Sequence, residues 1–195
     1  CAWDTSPTVE IGGISGESGT YIMGSSKNTK NFTCTWKVGY ANTNETFKGK
    51  INNWSCSGSG YTGTVNITKV GTGDWRLTGS NDYKGTTSIA GGRLIVNGTN
   101  SGTGQVIVAA DATLAGKGTV AGKVTVMADA TVYAGDTLIN SQTLKLTGGC
   151  TINEGGAVEV PLYSSNGATK CNRLQVTGNF QINGATLRLN MAETE

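Results

Sequence analysis

Apolar side chains in this chain fall in short alternations. The clearest stretch runs from Ile67 to Gly98, ITKVGTGDWRLTGSNDYKGTTSIAGGRLIVNG. Trp75-Arg76-Leu77, Thr87-Ser88-Ile89 and Leu94-Ile95-Val96 each point one residue inward and its neighbour outward. Glycine or Asn-Asp punctuation separates them. No run of ten or more residues in the stretch repeats apolar positions at three and four, which excludes a helix there. Short strands, each followed by a tight turn and recurring at about one coil's length, predict a chain winding into a solenoid. Nearer the start, Val9-Glu10-Ile11, Tyr21-Ile22-Met23, residues 32–38 and residues 46–51 read as further strands between glycine and asparagine turns.

Two internal repeats extend the pattern downstream. Residues 106–113, VIVAADAT, recur eighteen residues later as VTVMADAT, with six of eight positions identical. Leu144-Lys145-Leu146-Thr147-Gly148 recurs thirty residues later as Leu174-Gln175-Val176-Thr177-Gly178, and Ile152-Asn153 as Ile182-Asn183 at the same offset. Periods of 18 and 30 in one chain predict a single coil motif with insertions in its turns. The expected fold is all-β, a single-stranded right-handed parallel β-helix. No dozen-residue helical crossover exists for a βαβ sheet, and Asn-Gly hairpin dipeptides occur only at Asn97, Asn166 and Asn183. An antiparallel sandwich is the alternative. We divide the chain into irregular N-terminal coils over residues 1–66 and a repeat-bearing part over 67–195, within one continuous domain.

Composition sharpens this picture. Thirty glycines against two prolines, without a three-residue period, exclude collagen and fit many sharp corners. A net charge of +2 gives no footprint for nucleic acid, and no apolar run is long enough to insert this segment in a membrane. Both ends read as cut from something longer. Of five cysteines, Cys34 and Cys56 are 22 apart and Cys150 and Cys171 are 21 apart, so neighbouring coils could bring each pair within disulfide reach. Buried free thiols are the competing reading.

With no histidine, Ser-His-Asp and Cys-His nucleophile pairs cannot be built, and no zinc spacing or phosphate loop occurs. No cofactor or metal is expected, and no catalytic residue is assigned. Asp111 and Asp129, equivalent in the 18-residue repeat, should stack one coil apart. Each lies in Ala-Asp-Ala-Thr, where an aspartate capping its own turn explains it best. A calcium ion between them is the lesser alternative. A binding face for acidic polysaccharide is a further expectation. All four tryptophans precede Leu77, and a lysine-rich segment lies among them. Trp54, Tyr61, Trp75 and Tyr83, with Lys48 and Lys50, are the residues that would carry it through ring stacking and charge.

The central stretch also carries a resemblance. Lys69, Gly71, Gly73, Trp75, Leu77-Thr78-Gly79, Asn81, Tyr83, Gly85-Thr86-Thr87, Gly91-Gly92, Leu94, Val96 and Gly98 resemble, in order and spacing, the autotransporter-associated β-strand repeat. That repeat occurs in secreted and surface proteins of Gram-negative bacteria. The likeness covers residues 67–190 well and 9–66 weakly. It implies a non-catalytic stalk, spacer or adhesive segment of a larger secreted or cell-surface protein, whose partners are the neighbouring domains of the parent chain. Similar modules accompany pectate-lyase-like enzymes, so the resemblance also admits an accessory role beside polysaccharide degradation.

Overall fold

The computed structural model describes residues 6–24, 26–27, 30–55, 62–137, 141–165 and 168–192. It is all-β, with no helix among these residues. Most strands are parallel and gather into three sheets that the chain visits in turn. The first sheet runs Thr8–Ile11, Lys30–Val38, Thr62–Lys69, Thr87–Ile89, Val106–Val108, Val124–Val126, Cys150–Ile152 and Phe180–Ile182, in chain order. The second takes Glu45–Phe47, Asp74–Leu77, Gly92–Val96, Ala112–Gly116, Thr131–Ala134, Ala157–Ser165 and Thr186–Ala192. The third takes Ser80–Asn81, Thr99–Asn100, Thr119–Val120, Thr143–Leu146 and Arg173–Val176. Each strand pairs with its counterpart one circuit later, as a β-helix requires. Backbone donors and acceptors are thus satisfied between circuits, which frees every segment from needing a hairpin partner.

Both sequence repeats are ladders. Val106 and Val108 lie opposite Val124 and Val126, a circuit of 18 residues. Leu144 and Leu146 lie opposite Leu174 and Val176, and Ile152 opposite Ile182, circuits of 30. The extra residues leave the coil as turn insertions. One leaves the coil after Ala134 and returns at Ser141, and the antiparallel pairing of Leu162–Ser165 with Ala168–Cys171 on the second sheet belongs to another. The interior is a column of aliphatic steps. Trp75, Leu94, Leu114, Val132 and Val158 stack along the second sheet, and Ile89, Val108, Val126 and Ile152 along the first. Each such side chain contributes roughly 1.5–3 kcal/mol by leaving water.

One polar step interrupts the first-sheet column. Lys69, opposite Val38 and Ile89, is buried, and its ammonium donates to the carbonyls of Val70 (2.7 Å), Gly71 (3.0 Å) and Gly91 (3.1 Å). Burial lowers its pKa, and the Asp74 charge opposes that only in part. All three donors are used, so the buried cation is tolerated. The corner between the second and third sheets is a column of glycines. A Cβ on Gly98 would lie 2.1 Å from the Gly79 carbonyl oxygen, and one on Gly118 would lie 2.0 Å from that of Gly98. Only glycine allows successive circuits to stack so closely there.

Candidate functional site

Two of the aromatics expected on a binding face point into the core instead. Trp75 and Tyr83 are among the largest fully buried side chains. The Trp75 indole N–H donates to the Ile14 carbonyl (2.9 Å). The Tyr83 hydroxyl shares a hydrogen bond with Thr87 Oγ1 (2.7 Å) and accepts from Asn100 Nδ2 (3.1 Å). Both polar tips are satisfied inside, so two aromatics assigned to ligand stacking are core residues. The lysines are paired with carboxylates of neighbouring circuits: Lys48 with Glu17 at 2.9 Å, Lys50 with Asp82 at 2.7 Å, and Lys37 with Glu10 at 2.9 Å. Each of these three lysines thus has its charge offset, while the side chains of Lys27 and Lys30 in the same segment lie outside the described residues. Trp54 lies in the strand Trp54–Ser55, but its side chain is outside the described residues, as is the whole of Tyr61.

Cys150 and Cys171 do not pair as their spacing suggests. Cys150 is buried in the first sheet between Val124 and Phe180, whereas Cys171 is exposed on the second-sheet hairpin opposite Leu162. Both are free thiols, so the expected Cys150–Cys171 bridge is absent. The cause is circuit length: the chain returns to Cys150 at Phe180, thirty residues on, and Cys171 falls short of a full turn. Cys34 is likewise a free, buried thiol, and its return point is Val65. Its expected partner, Cys56, lies outside the described residues. Burial raises the Cys34 thiol and pushes Cys150 up to about 11, so both are poor nucleophiles.

Asp111 and Asp129 stack as expected. Both adopt left-handed backbone (φ 60° and 59°), and the Asp111 N–H donates to the Asp129 carbonyl at 3.1 Å. These are turn positions that aspartate tolerates, so the turn expected from the sequence is present, without a side-chain cap among the described hydrogen bonds. No group of three or more candidate metal ligands occurs among the described residues.

The most developed polar site lies elsewhere, on the outer face of the second sheet. After Thr131–Ala134 the chain turns back over its own circuits. Gly135 and Gly116 exchange two backbone hydrogen bonds (2.8 and 3.0 Å) in an antiparallel bridge. Asp136 then reaches two circuits further back. Its Oδ1 accepts from Arg76 Nη2 (2.8 Å), while its Oδ2 accepts from Arg76 Nε (3.3 Å) and Asn97 Nδ2 (2.7 Å). Burial pushes this carboxyl up, but the Arg76 and Asn97 hydrogen bonds and the charges of Arg76 and Lys117 outweigh it. The group is held below the usual aspartate range. The return of this strap is also fixed. Gln142 Oε1 accepts from the Asp136 N–H (2.6 Å), and Asn172 bonds to the Gln142 N–H (2.9 Å) and the Thr137 carbonyl (2.9 Å). Ile95 and Ala115 belong to the outward ladder that the strap crosses, between Arg76 and Tyr133, and both are fully buried.

Beside the strap lies an open groove of about 390 Å³. Arg93, Thr113 and Thr131 form one wall as consecutive steps of a ladder, Tyr133 and Glu159 close one end, and Asp136 belongs to the strap side. The Arg93 guanidinium lies 5.6 Å from the centre of the Tyr133 ring. Burial raises the Tyr133 phenol, with the Glu159 carboxylate adding to it, so the hydroxyl stays neutral. None of these residues carries a motif. The available signal was the break in the 18-residue period after Ala134, which marks an insertion without saying where it folds.

A second hollow, of about 340 Å³, opens at the C-terminal end. It is apolar, lined by Val158, Leu174, Val176, Phe180, Ile182 and Leu187. Phe180, Ile182, Leu187, Leu189 and Met191 are all exposed there. Phe180–Ile182 is the last strand of its sheet, and Thr186–Ala192 pairs only with Ala157–Ser165.

No curated protein and no solved structure matches the chain. Residues 67–96 match the passenger-associated-transport-repeat family, the same stretch whose lysine, glycines, Trp75 and Tyr83 build the buried column and corners described above. That segment is therefore similar to the passenger-associated-transport repeat, as the order of its residues suggests.

Proposed function

We propose that this chain is a non-catalytic structural module, a right-handed parallel β-helix serving as stalk or spacer in a larger secreted or cell-surface protein of a Gram-negative bacterium. Residues 1–66 and 67–195 act as one continuous domain in this reading. The observation that carries it is the uncovered last circuit. Ile182 and Leu187 continue interior ladders that are buried from Val38 to Ile152 and from Trp75 to Val158, and two parallel strand edges stand open beside them. A surface of this kind is the seat for a further β-circuit of the parent protein, whose strands would satisfy the open edges and whose aliphatic residues would continue the column. The passenger-type repeat supports secretion and a structural role.

Hydrogen exchange tests the reading. Amides of Phe180–Ile182 and Thr186–Ala192 should exchange fast in this chain alone and become protected in the full-length parent protein. Equal exchange in both would sink the stacking role.

A further inference from the structure

We propose that the outer-face groove beside the strap binds a neutral oligosaccharide. This goes beyond the structural-module reading and does not depend on it, because the residues that line the groove all precede the last, uncovered circuit.

The argument starts from unused hydrogen-bonding capacity. The side-chain hydroxyls of Thr113, Thr131 and Tyr133 have no hydrogen-bond partner within the described protein, although they line one groove. Arg93 has five donors, yet makes only two long contacts: 3.4 Å to Asp74 Oδ2 and 3.5 Å to the Asp136 carbonyl. Glu159 accepts one bond, from Asn190 Nδ2 at 3.1 Å. The groove thus offers donors at the Arg93 end, an acceptor at the Glu159 end, and hydroxyls able to do both between them. From Arg93 to Glu159 it crosses three strand steps, roughly 14 Å at about 4.8 Å per step. An extended ligand bearing hydroxyls along its length can use all of these groups together.

Charge and shape decide against other ligands. Arg76 is neutralised by Asp136, Arg93 faces Asp74, and Glu159 has Arg188 beside it in register, so only the Lys117 charge near Asp136 is left over, too little for an acidic polysaccharide or a nucleic acid. The groove lies on a sheet face, where strand backbone groups are already paired, so a peptide cannot add as a strand. The strap supplies rigidity. Asp136 is tied to Arg76 and Asn97, and Arg93 lies against the Tyr133 ring, so little has to order on binding.

Calorimetric titration of the intact chain with linear oligomers of glucose, mannose and galactose, alongside oligogalacturonate, tests the proposal. Binding of at least one neutral oligomer is expected, with oligogalacturonate weaker. Thr113→Val, Thr131→Val and Tyr133→Phe should each weaken it roughly three- to tenfold. These substitutions keep strand-forming residues on the outer face, and unchanged thermal unfolding would verify that the fold survives. No heat from any neutral oligomer at millimolar concentration, binding indifferent to all three variants, or a preference for oligogalacturonate would each overturn it.

Discussion

The middle and the end of this molecule contain the same ladders with opposite fates. Val126 and Ile182 occupy one column of the first sheet, two circuits apart, yet Val126 is 0% exposed and Ile182 is 57% exposed. Leu114 and Leu187 share a column of the second sheet and differ in the same way, 0% against 64%. Aliphatic character and strand position are matched in each pair. What differs is the circuit on the far side. In this architecture an aliphatic residue is buried by the next turn of chain more than by its own, so stability is a sum of neighbour terms.

That contrast can be broken most sharply by truncating one leucine from each place. Leu114→Ala should lower unfolding stability in chemical denaturation by about 3–5 kcal/mol, because a closed column cannot collapse into the gap. Leu187→Ala, at a half-open site, should cost under about 1 kcal/mol. Equal losses would mean that the last circuit is not edge-like in solution. Gly98→Ala comes next, at about 2–3 kcal/mol, because its methyl meets the Gly79 carbonyl rather than a movable side chain. Leu114→Ala leaves a gap in the interior and Gly98→Ala overfills a corner, so thermal scans of both compare the two ways a circuit can fail.

Asp136→Asn should cost about 1–2 kcal/mol, since it weakens a two-pronged contact that ties circuits together. The same residue predicts a pH effect. Its folded pKa lies below the ordinary 3.8, so its contribution is full above that value and is lost as pH falls through the lower folded value. Unfolding midpoints recorded downward from neutral pH should therefore converge for the native protein and Asp136→Asn only in strong acid. The smallest effect is kinetic. Cys171 should react with a thiol reagent at once and Cys150 only on unfolding, as peptide mass mapping would report, because one is exposed and the other buried with a raised pKa.

The coil itself was legible because its ladders recur in the chain as near-copies, VIVAADAT over VTVMADAT and LKLTG over LQVTG. The equivalent turns at Asp111 and Asp129 were legible for the same reason, though not their left-handed backbone. Direction of side chain was less so. Trp75 and Tyr83 alternate like core residues but carry polar tips, and from sequence a tip bonded to Ile14 or Thr87 cannot be told from one facing a ligand. Cys150 and Cys171 were placed together on an assumed circuit length, and the hairpin at residues 161–171 lengthened that circuit. The groove was invisible for a related reason. Its walls come from ordinary outward threonines, and its depth comes from an insertion that folds back across circuits already wound.

The Asp136 clamp has one more consequence, in the order of assembly. Arg76 and Asp136 are 60 residues apart, and the circuits between them must be stacked before their side chains can meet. Closure then follows the rate-limiting barrier, so Asp136→Asn should speed unfolding while leaving the refolding rate nearly unchanged. A chain that winds progressively from one end would thus be locked behind the advancing front, each passage of the strap turning a reversible stack into a slow-release one.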